Sequence, residues 1–258
     1  MMFIFLYFKT TLLNFAEIKD DEIVNDSLND AGPETLQIVP EEIIKVKLDI
    51  PKKVKTIGKN TFFGCKSLEK VTFPSSIESI DDFSFNDCSS LKEVVFEAPS
   101  SLKSIGIHAF GGCFSLVEIS IPPSVTEIID NVFENCTSLV KIDIPKSVNY
   151  IGTNAFSNCK SLKQILIPSS VTYIGYPSFS KCSSLVKVDF EGPSSLTFIG
   201  DYAFSGCLSL PNILIPSSVN YIGTGTFNDC KSLYEISVPS SLVFRRIGIT
   251  DNVKVIKT

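Results

Sequence analysis

The chain has 258 residues, of which 44% are hydrophobic and 20% charged, and this composition excludes a wholly disordered polypeptide. Its net charge of -5 and isoelectric point near 5.0 argue against the basic surface that nucleic-acid binding needs. The chain has eight cysteines but only one histidine, which excludes most histidine-dependent metal sites and repeated cysteine–histidine pairs.

Residues 1–30 form an N-terminal apolar segment and an acidic tail. The apolar run in residues 1–16 is interrupted by Lys9, lacks a basic start, and is shorter than the ~20 residues of a membrane span. An atypical signal peptide and a structural segment both remain open, and no transmembrane span is expected. Residues 17–30 are acidic and predict a mobile tail, where Asn25 begins a glycosylation sequon that is usable if the chain is secreted.

Residues 31–50 are predicted to be an N-terminal cap or degenerate repeat. Val46, Leu48 and Ile50 alternate with polar residues and could pair with the first regular strand. Repeat arrays need atypical terminal units to cover the open core, and this segment is placed to do so.

The cysteines show that the next 188 residues are a repeat array, because they recur at intervals of 23 or 25 residues. Starting each unit at its proline divides residues 51–238 into eight units without a gap. The two longer units gain their extra residues at one place, which predicts one loop. The units are 51–73, 74–98, 99–121, 122–144, 145–167, 168–192, 193–215 and 216–238.

Each unit follows P-x-x-V-x-x-I-G-x-x-x-F-x-x-C-x-S-L-x-x-I-x-I with small variations, and positions are numbered from the proline. One unit cannot bury its own apolar side chains, so stacked units are predicted to align them in buried columns. Position 12 forms a phenylalanine column of Phe62, Phe85, Phe110, Phe133, Phe156, Phe179, Phe204 and Phe227. Position 15 forms a cysteine column of Cys65, Cys88, Cys113, Cys136, Cys159, Cys182, Cys207 and Cys230.

Each unit is predicted to contain two extended segments joined by a turn. The segment L-x-x-I-x-I predicts a short parallel strand, with Ile165 and Ile167 inward and Gln164 and Leu166 outward. The segment V-x-x-I-G predicts a second short strand, and the stretch up to Phe and Cys predicts a short helical or 3-10 turn. Position 14 is Gly, Asn or Asp in seven of eight units, which favours left-handed backbone there.

The repeat S-L-x-x-I-x-I-P-x-S-V-x-x-I-G-x-x-A-F-x-x-C resembles that of the BspA-like leucine-rich repeat family, surface antigens of mucosal bacteria and parasitic protists. The resemblance covers residues 51–238 and extends weakly over 239–248. It implies an α/β solenoid, a leucine-rich repeat array of short parallel strands. It also implies an adhesin-like protein at the cell surface or secreted, and it carries no catalytic motif.

Residues 239–258 are predicted to be a partial repeat and C-terminal cap. The phenylalanine and cysteine columns end after Gly248. Val253 and Val255 alternate with Lys254, which predicts a closing strand with a polar outer face.

The cysteines are predicted to be a ladder of free, buried thiols. Rungs ~4.8 Å apart with parallel side chains fit disulfide geometry poorly. No C-x-x-C pair supports a metal site, and eight equivalent thiols cannot share His108 as a catalytic base. We therefore expect no enzyme, no cofactor, no metal and no small-molecule substrate.

Two further polar features are predicted to be structural. His108 occupies a variable position and is interpreted as a solvated loop residue. The sequon at Asn135 lies beside the cysteine column, which makes glycosylation there unfavourable.

One feature exceeds what the repeat requires. Position 6 is predicted to point outward, and it is polar in units one to four, which carry Thr56, Ser79, Ser104 and Glu127. It becomes aromatic in the later units and the partial ninth. These residues, here called the aromatic stripe, are Tyr150, Tyr173, Phe198, Tyr221 and Phe244. The stripe is either a partner-binding or self-association face or a ladder that only stabilises the sheet.

The sequence as a whole predicts a non-enzymatic protein-binding module, a surface or secreted adhesin-like protein with a protein partner or self-association. The alternative is a cytoplasmic structural or scaffold repeat protein without a dedicated ligand.

Overall fold

The structure is a computed structural model that describes residues 35–36, 47–243 and 246–258. In these ranges the chain winds into a parallel-strand solenoid of about nine turns, with strands on two faces. The predicted tail and most of the predicted N-terminal cap lie outside the described residues. The expectations for Asn25 and for a signal peptide therefore stay predictions.

One face, here called the long-strand face, is formed by positions 20 to 23. Its strands pair in parallel and in register within sheets of five, two and three strands, so that Ile142 lies beside Ile119. The strands are Lys47–Asp49, Lys70–Phe73, Glu93–Phe96, Glu118–Ser120, Lys141–Asp143, Gln164–Ile167, Lys187–Phe190, Asn212–Leu214, Glu235–Val238 and Lys254–Lys257.

The other face, here called the short-strand face, is formed by positions 6 and 7. Its strands form a four-stranded and a five-stranded parallel sheet, and the break falls between units three and four. The strands are Thr35–Leu36, Thr56–Ile57, Ser79–Ile80, Ser104–Ile105, Glu127–Ile128, Tyr150–Ile151, Tyr173–Ile174, Phe198–Ile199 and Tyr221–Ile222.

The core lies between these two faces. The predicted alternation is confirmed in unit five, where Ile165 and Ile167 are buried while Gln164 and Leu166 are exposed. All eight rings of the phenylalanine column are at most 1% exposed. Each ring stacks on the next with centroids 4.9 to 5.9 Å apart, so one continuous aromatic column runs through the array.

The prediction of short helical or 3-10 turns was wrong, because the described residues contain no helix. In unit five the N–H groups of Ala155, Ser157 and Cys159 donate to carbonyls three residues back. The alternate N–H groups, those of Asn154 and Phe156 among them, donate to the next unit instead. In a helix every one of these N–H groups would donate to a carbonyl within the same segment. Here the alternate N–H groups donate to carbonyls of the next turn of the solenoid instead.

Left-handed residues produce this alternation. Position 14 has positive φ in all eight units, as its residue types predict, and even Lys181 adopts φ 60°. Position 10 is also left-handed in every unit except that of Pro177, a requirement that the sequence analysis missed. It includes His108 at φ 54°. Two such residues per turn prevent the run of right-handed dihedrals that a helix requires.

Both described ends continue the ladder. Leu48 lies beside Val71, so the strand before unit one pairs as its alternation suggested. The closing strand Lys254–Lys257 pairs with Glu235–Val238. The apolar side of this closing strand is less completely buried than predicted. Val253 is 8% exposed, but Val255 is 39% exposed, and among the described residues no strand pairs with the outer edge of Lys254–Lys257.

We predict that Phe156→Ala lowers the free energy of unfolding by about 3–5 kcal/mol, since it leaves a cavity in a fully buried stack. The matched control is Phe114→Ala, because Phe114 is 44% exposed and its loss should cost only about 0.5–1 kcal/mol. Urea denaturation followed by circular dichroism measures both. Equal losses at the two sites would contradict the assignment of position 12 to the core.

Candidate functional site

The aromatic stripe is assembled by strand register. Tyr150, Tyr173, Phe198 and Tyr221 each lie beside the next along the short-strand face. Their rings stack with centroids 5.1, 4.7 and 4.6 Å apart and interplanar angles of 6 to 8°. Phe244 lies outside the described residues. The structure thus brings four of the five predicted stripe residues into one continuous stack.

The stripe is less exposed than position 6 was predicted to be. Tyr150, Tyr173 and Phe198 are half-buried, and only Tyr221 is 44% exposed. The reason is the stack itself, because each ring covers a face of its neighbour. Tyr173 and Phe198 have both faces covered. These inner rings therefore present their edges to solvent.

Two more tyrosines belong to this side of the molecule and were missed from the sequence. Tyr176 is 50% exposed and Tyr202 is 38% exposed. Their rings meet edge to face at 5.9 Å. They occupy positions 9 and 10 of successive units, so no single column reveals the pair. Comparing adjacent positions of neighbouring units would have found it.

The row beside the stripe is polar and uncharged. Position 5 is exposed in units four to eight, and it holds Thr126, Asn149, Thr172, Thr197 and Asn220. The Thr172 hydroxyl donates to the Asn149 carbonyl and the Thr197 hydroxyl donates to the Thr172 carbonyl, both at 3.1 Å. These bonds link three successive members of the row from rung to rung.

Carboxylates mark the unit-four end of the stripe. Glu127 is the strand neighbour of Tyr150. Asp130 accepts a hydrogen bond from the Thr153 N–H at 2.7 Å. Burial raises the pKa of the Tyr150 hydroxyl, and the nearby charge of Asp130 adds to that rise. The stripe therefore begins in a negative environment.

The long-strand face offers no comparable surface. Its charges neutralise one another, as in the Lys70–Glu93 pair at 2.6 Å and the Lys187–Asp189 pair at 2.6 Å. Leu166 and Leu214 are 55% and 62% exposed, but they stand in alternate units with Asp189 between them. Isolated apolar residues of this kind are normal on a surface.

The cysteine column holds eight free thiols, and all except Cys230 are buried. From Cys88 onward each Sγ donates to the phenylalanine carbonyl of the preceding unit, at 3.0 to 3.4 Å. Burial raises the pKa of Cys136 and of Cys182 to about 12. Cys65 differs, because its interaction with the Cys88 side chain lowers its pKa. The other thiols, whose pKa is raised, are poor nucleophiles.

The interpretation of His108 as a solvated loop residue was wrong. Its ring is stacked on Phe83 with centroids 4.9 Å apart, and its Nδ1 lies 3.6 Å from a Glu134 carboxylate oxygen. The side chain is only 26% exposed. The aromatic neighbour at the same position of the preceding unit explains the packing.

Other chemistry is sparse in the described part of the chain. The side-chain oxygen of Asn135 accepts a hydrogen bond from the Asn158 amide at 2.7 Å, and the next residue, Cys136, is buried. Among the described residues no three metal-ligating side chains cluster. Nor does this part contain a helix with the length and apolarity of a membrane span.

Comparison with known proteins identifies the repeat. The profile of the BspA type leucine rich repeat region matches in six copies, over residues 45–163, 92–192 and 154–251. The chain belongs to the BspA-type leucine-rich repeat family. No curated protein matches this BspA-type array significantly.

Solved structures resemble the BspA-type array to different degrees. The leucine rich repeat protein TpLRR of T. pallidum is 30% identical, with a TM-score of 0.57, and the match covers 73% of this chain and 78% of TpLRR. A leucine rich cell surface protein of Faecalibacterium prausnitzii is 23% identical, with a TM-score of 0.36, and the match covers 83% of this chain and 87% of that one.

We predict that the array loses stability as the pH rises above about 9, because thiols in the unfolded chain ionise near that value. Cys136 and Cys182 stay protonated up to about 12 in the folded state. A raised folded pKa contributes stability that is complete below the unfolded pKa and is lost above it. Each such thiol steepens the loss by about 1.4 kcal/mol per pH unit.

Urea denaturation across this pH range measures the slope. The variant Cys136→Ala/Cys182→Ala should lose stability less steeply than the wild type, whatever its stability at neutral pH. Native thiol titration should detect few reactive groups until denaturant is added. An unchanged slope, or four disulfides found by non-reducing mass spectrometry, would contradict the free-thiol ladder.

Proposed function

We propose that this BspA-type array is a non-enzymatic, adhesin-like protein-binding module, displayed at the cell surface or secreted. The observation that carries the proposal is the aromatic stripe, extended by Tyr176 and Tyr202. Its described rings span three rung intervals, or ~14 Å. Tyr176, Tyr202 and Tyr221 are exposed, and tyrosine is enriched among residues that dominate binding energy.

The stack supports binding by being rigid. Rings fixed against one another have little conformational freedom to lose when a partner docks, so less of the interaction energy is cancelled. The exposed polar row from Thr126 to Asn220 adds hydrogen-bonding groups beside the rings. This combination of aromatic edges and adaptable polar groups is typical of protein-recognition surfaces.

The chemistry of the remaining side chains supports a non-catalytic role. Burial raises the pKa of the thiols from Cys113 onward. The single histidine of the chain is stacked on Phe83. Neither arrangement gives a nucleophile with an adjacent base. The resemblance to adhesin-like surface antigens supports a surface location, and detection of the chain by antibody on intact cells tests it. Detection only after permeabilisation would favour the intracellular scaffold alternative.

We predict that Tyr173→Ser/Tyr221→Ser abolishes capture by immobilised extracellular-matrix protein, or abolishes self-association, whichever the wild type shows. Solid-phase binding and size-exclusion chromatography measure the two. The double change removes three stacked pairs, each worth about 0.2–1 kcal/mol, so we also expect a moderate fall in melting temperature.

The matched control is Tyr234→Ser, because Tyr234 is 57% exposed on the opposite side of the unit at position 19. It should leave binding unchanged. Ser79→Tyr, in the polar half of the short-strand face, should create no binding of its own. A double variant that melts lower but still binds as the wild type does would show that the stripe is only a stacking ladder.

A further inference from the structure

The geometry of the rings restricts the class of partner. Sugars and nucleobases are held on aromatic side chains by stacking against an open ring face. Tyr173 and Phe198 have no open face, since each lies between two parallel rings. Only edges and hydroxyl groups meet a ligand along these rungs. This surface fits a polypeptide better than a stacked glycan or nucleic acid.

Beside the stripe in units four to eight, the charges are all of one sign. In units four to eight, here called the aromatic half, positions 5, 6 and 9 on and beside the short-strand face contain three carboxylates and no lysine or arginine. The acids are Glu127, Asp130 and Asp201. Among the described residues none of the three has an ion-pair partner, whereas Asp82 of unit two lies 3.8 Å from Lys59.

Units one to three show the opposite arrangement at the same positions. Position 5 there holds Lys55, Glu78 and Lys103, and Lys103 pairs with Glu78 at 2.9 Å. The polar half thus balances its charges internally. The aromatic half leaves its carboxylates to be matched from outside.

Two of the carboxylates share one column with a fixed separation. Asp130 and Asp201 both occupy position 9, and each accepts a hydrogen bond from the backbone N–H one unit further on, at 2.7 and 2.8 Å. These bonds orient the carboxylates along the array. They lie three rungs apart, or ~14 Å. An extended peptide covers that distance in about four residues, and residues four apart project from the same side of a strand.

We propose that the aromatic half of the short-strand face binds an extended segment of a partner protein that carries basic side chains four residues apart with an apolar side chain midway. The basic side chains meet the Asp130 and Asp201 ends, and the apolar one meets the ring edges and Tyr176 between them. Glu127, beside the ring of Tyr150, reinforces the first contact. This inference rests on the proposed function and specifies the partner.

The test uses the full chain and a labelled acetylated peptide with arginine at both ends, leucine in the centre and threonine between. Fluorescence anisotropy measures its affinity. Asp130→Asn/Asp201→Asn keeps one oxygen at each site to accept the backbone N–H but removes the charges. We expect it to weaken binding about five- to tenfold, as loss of two surface ion pairs should. The control Glu97→Gln/Glu118→Gln removes the same charge from exposed sites elsewhere, and it should bind like the wild type.

Equal weakening by both double variants would overturn the inference, because it would reflect net charge alone. Equal affinity for a peptide whose two arginines are adjacent would also overturn it. Failure of the wild type to bind the peptide rejects this partner chemistry, while the proposed function is decided separately by Tyr173→Ser/Tyr221→Ser. Tight binding of the matched peptide with glutamate in place of arginine rejects the charge argument as well.

Discussion

The structure depends on backbone hydrogen bonds between successive turns, and these run in two directions. At the strands both directions occur: the N–H of Asp81 donates back to the carbonyl of Ile57, and the N–H of Ile121 donates forward to the carbonyl of Asp143. In the turns the earlier unit donates, as from the N–H of Phe62 to the carbonyl of Ser84. Because both segments are paired, equivalent residues lie side by side around the whole circumference. The columns of the sequence therefore become columns in space.

The cysteine column illustrates what this pairing permits. A side chain at position 15 must be small, because it lies inside the turn, and its thiol can reach the phenylalanine carbonyl of the preceding unit. Cysteine meets both needs as a small hydrophobe with a weak donor. The close approach of the turns limits position 8 in a similar way. A Cβ added to Gly175 would lie 2.8 Å from the carbonyl carbon of Gly152, so packing rather than dihedral freedom favours glycine there.

The period and the apolar positions were enough to predict the parallel solenoid and its core columns, and the Gly, Asn and Asp residues of position 14 predicted its left-handed backbone. The helical turns were predicted wrongly because position 10 carries residues as different as Asn154, His108 and Tyr202, and such variety hides a shared left-handed dihedral. His108 was misjudged for the same reason, since its partner Phe83 lies one unit away. Counting positions within the repeat was enough to place the stripe at position 6. Its partial burial could not be predicted in this way, because the exposure of each ring depends on how it stacks on its neighbour.

The two longer units show how this architecture tolerates changes of length. Their additional residues, Glu97-Ala98 and Glu191-Gly192, stay at one edge, and the strands on either side keep their register. A whole unit could also be gained or lost without disturbing the register of the remaining strands, because each turn contacts only its neighbours. Duplication of an aromatic unit would lengthen the row of rings by one step without redesigning the core. Recombination between repeats can therefore change the length of the aromatic stripe in steps of one rung.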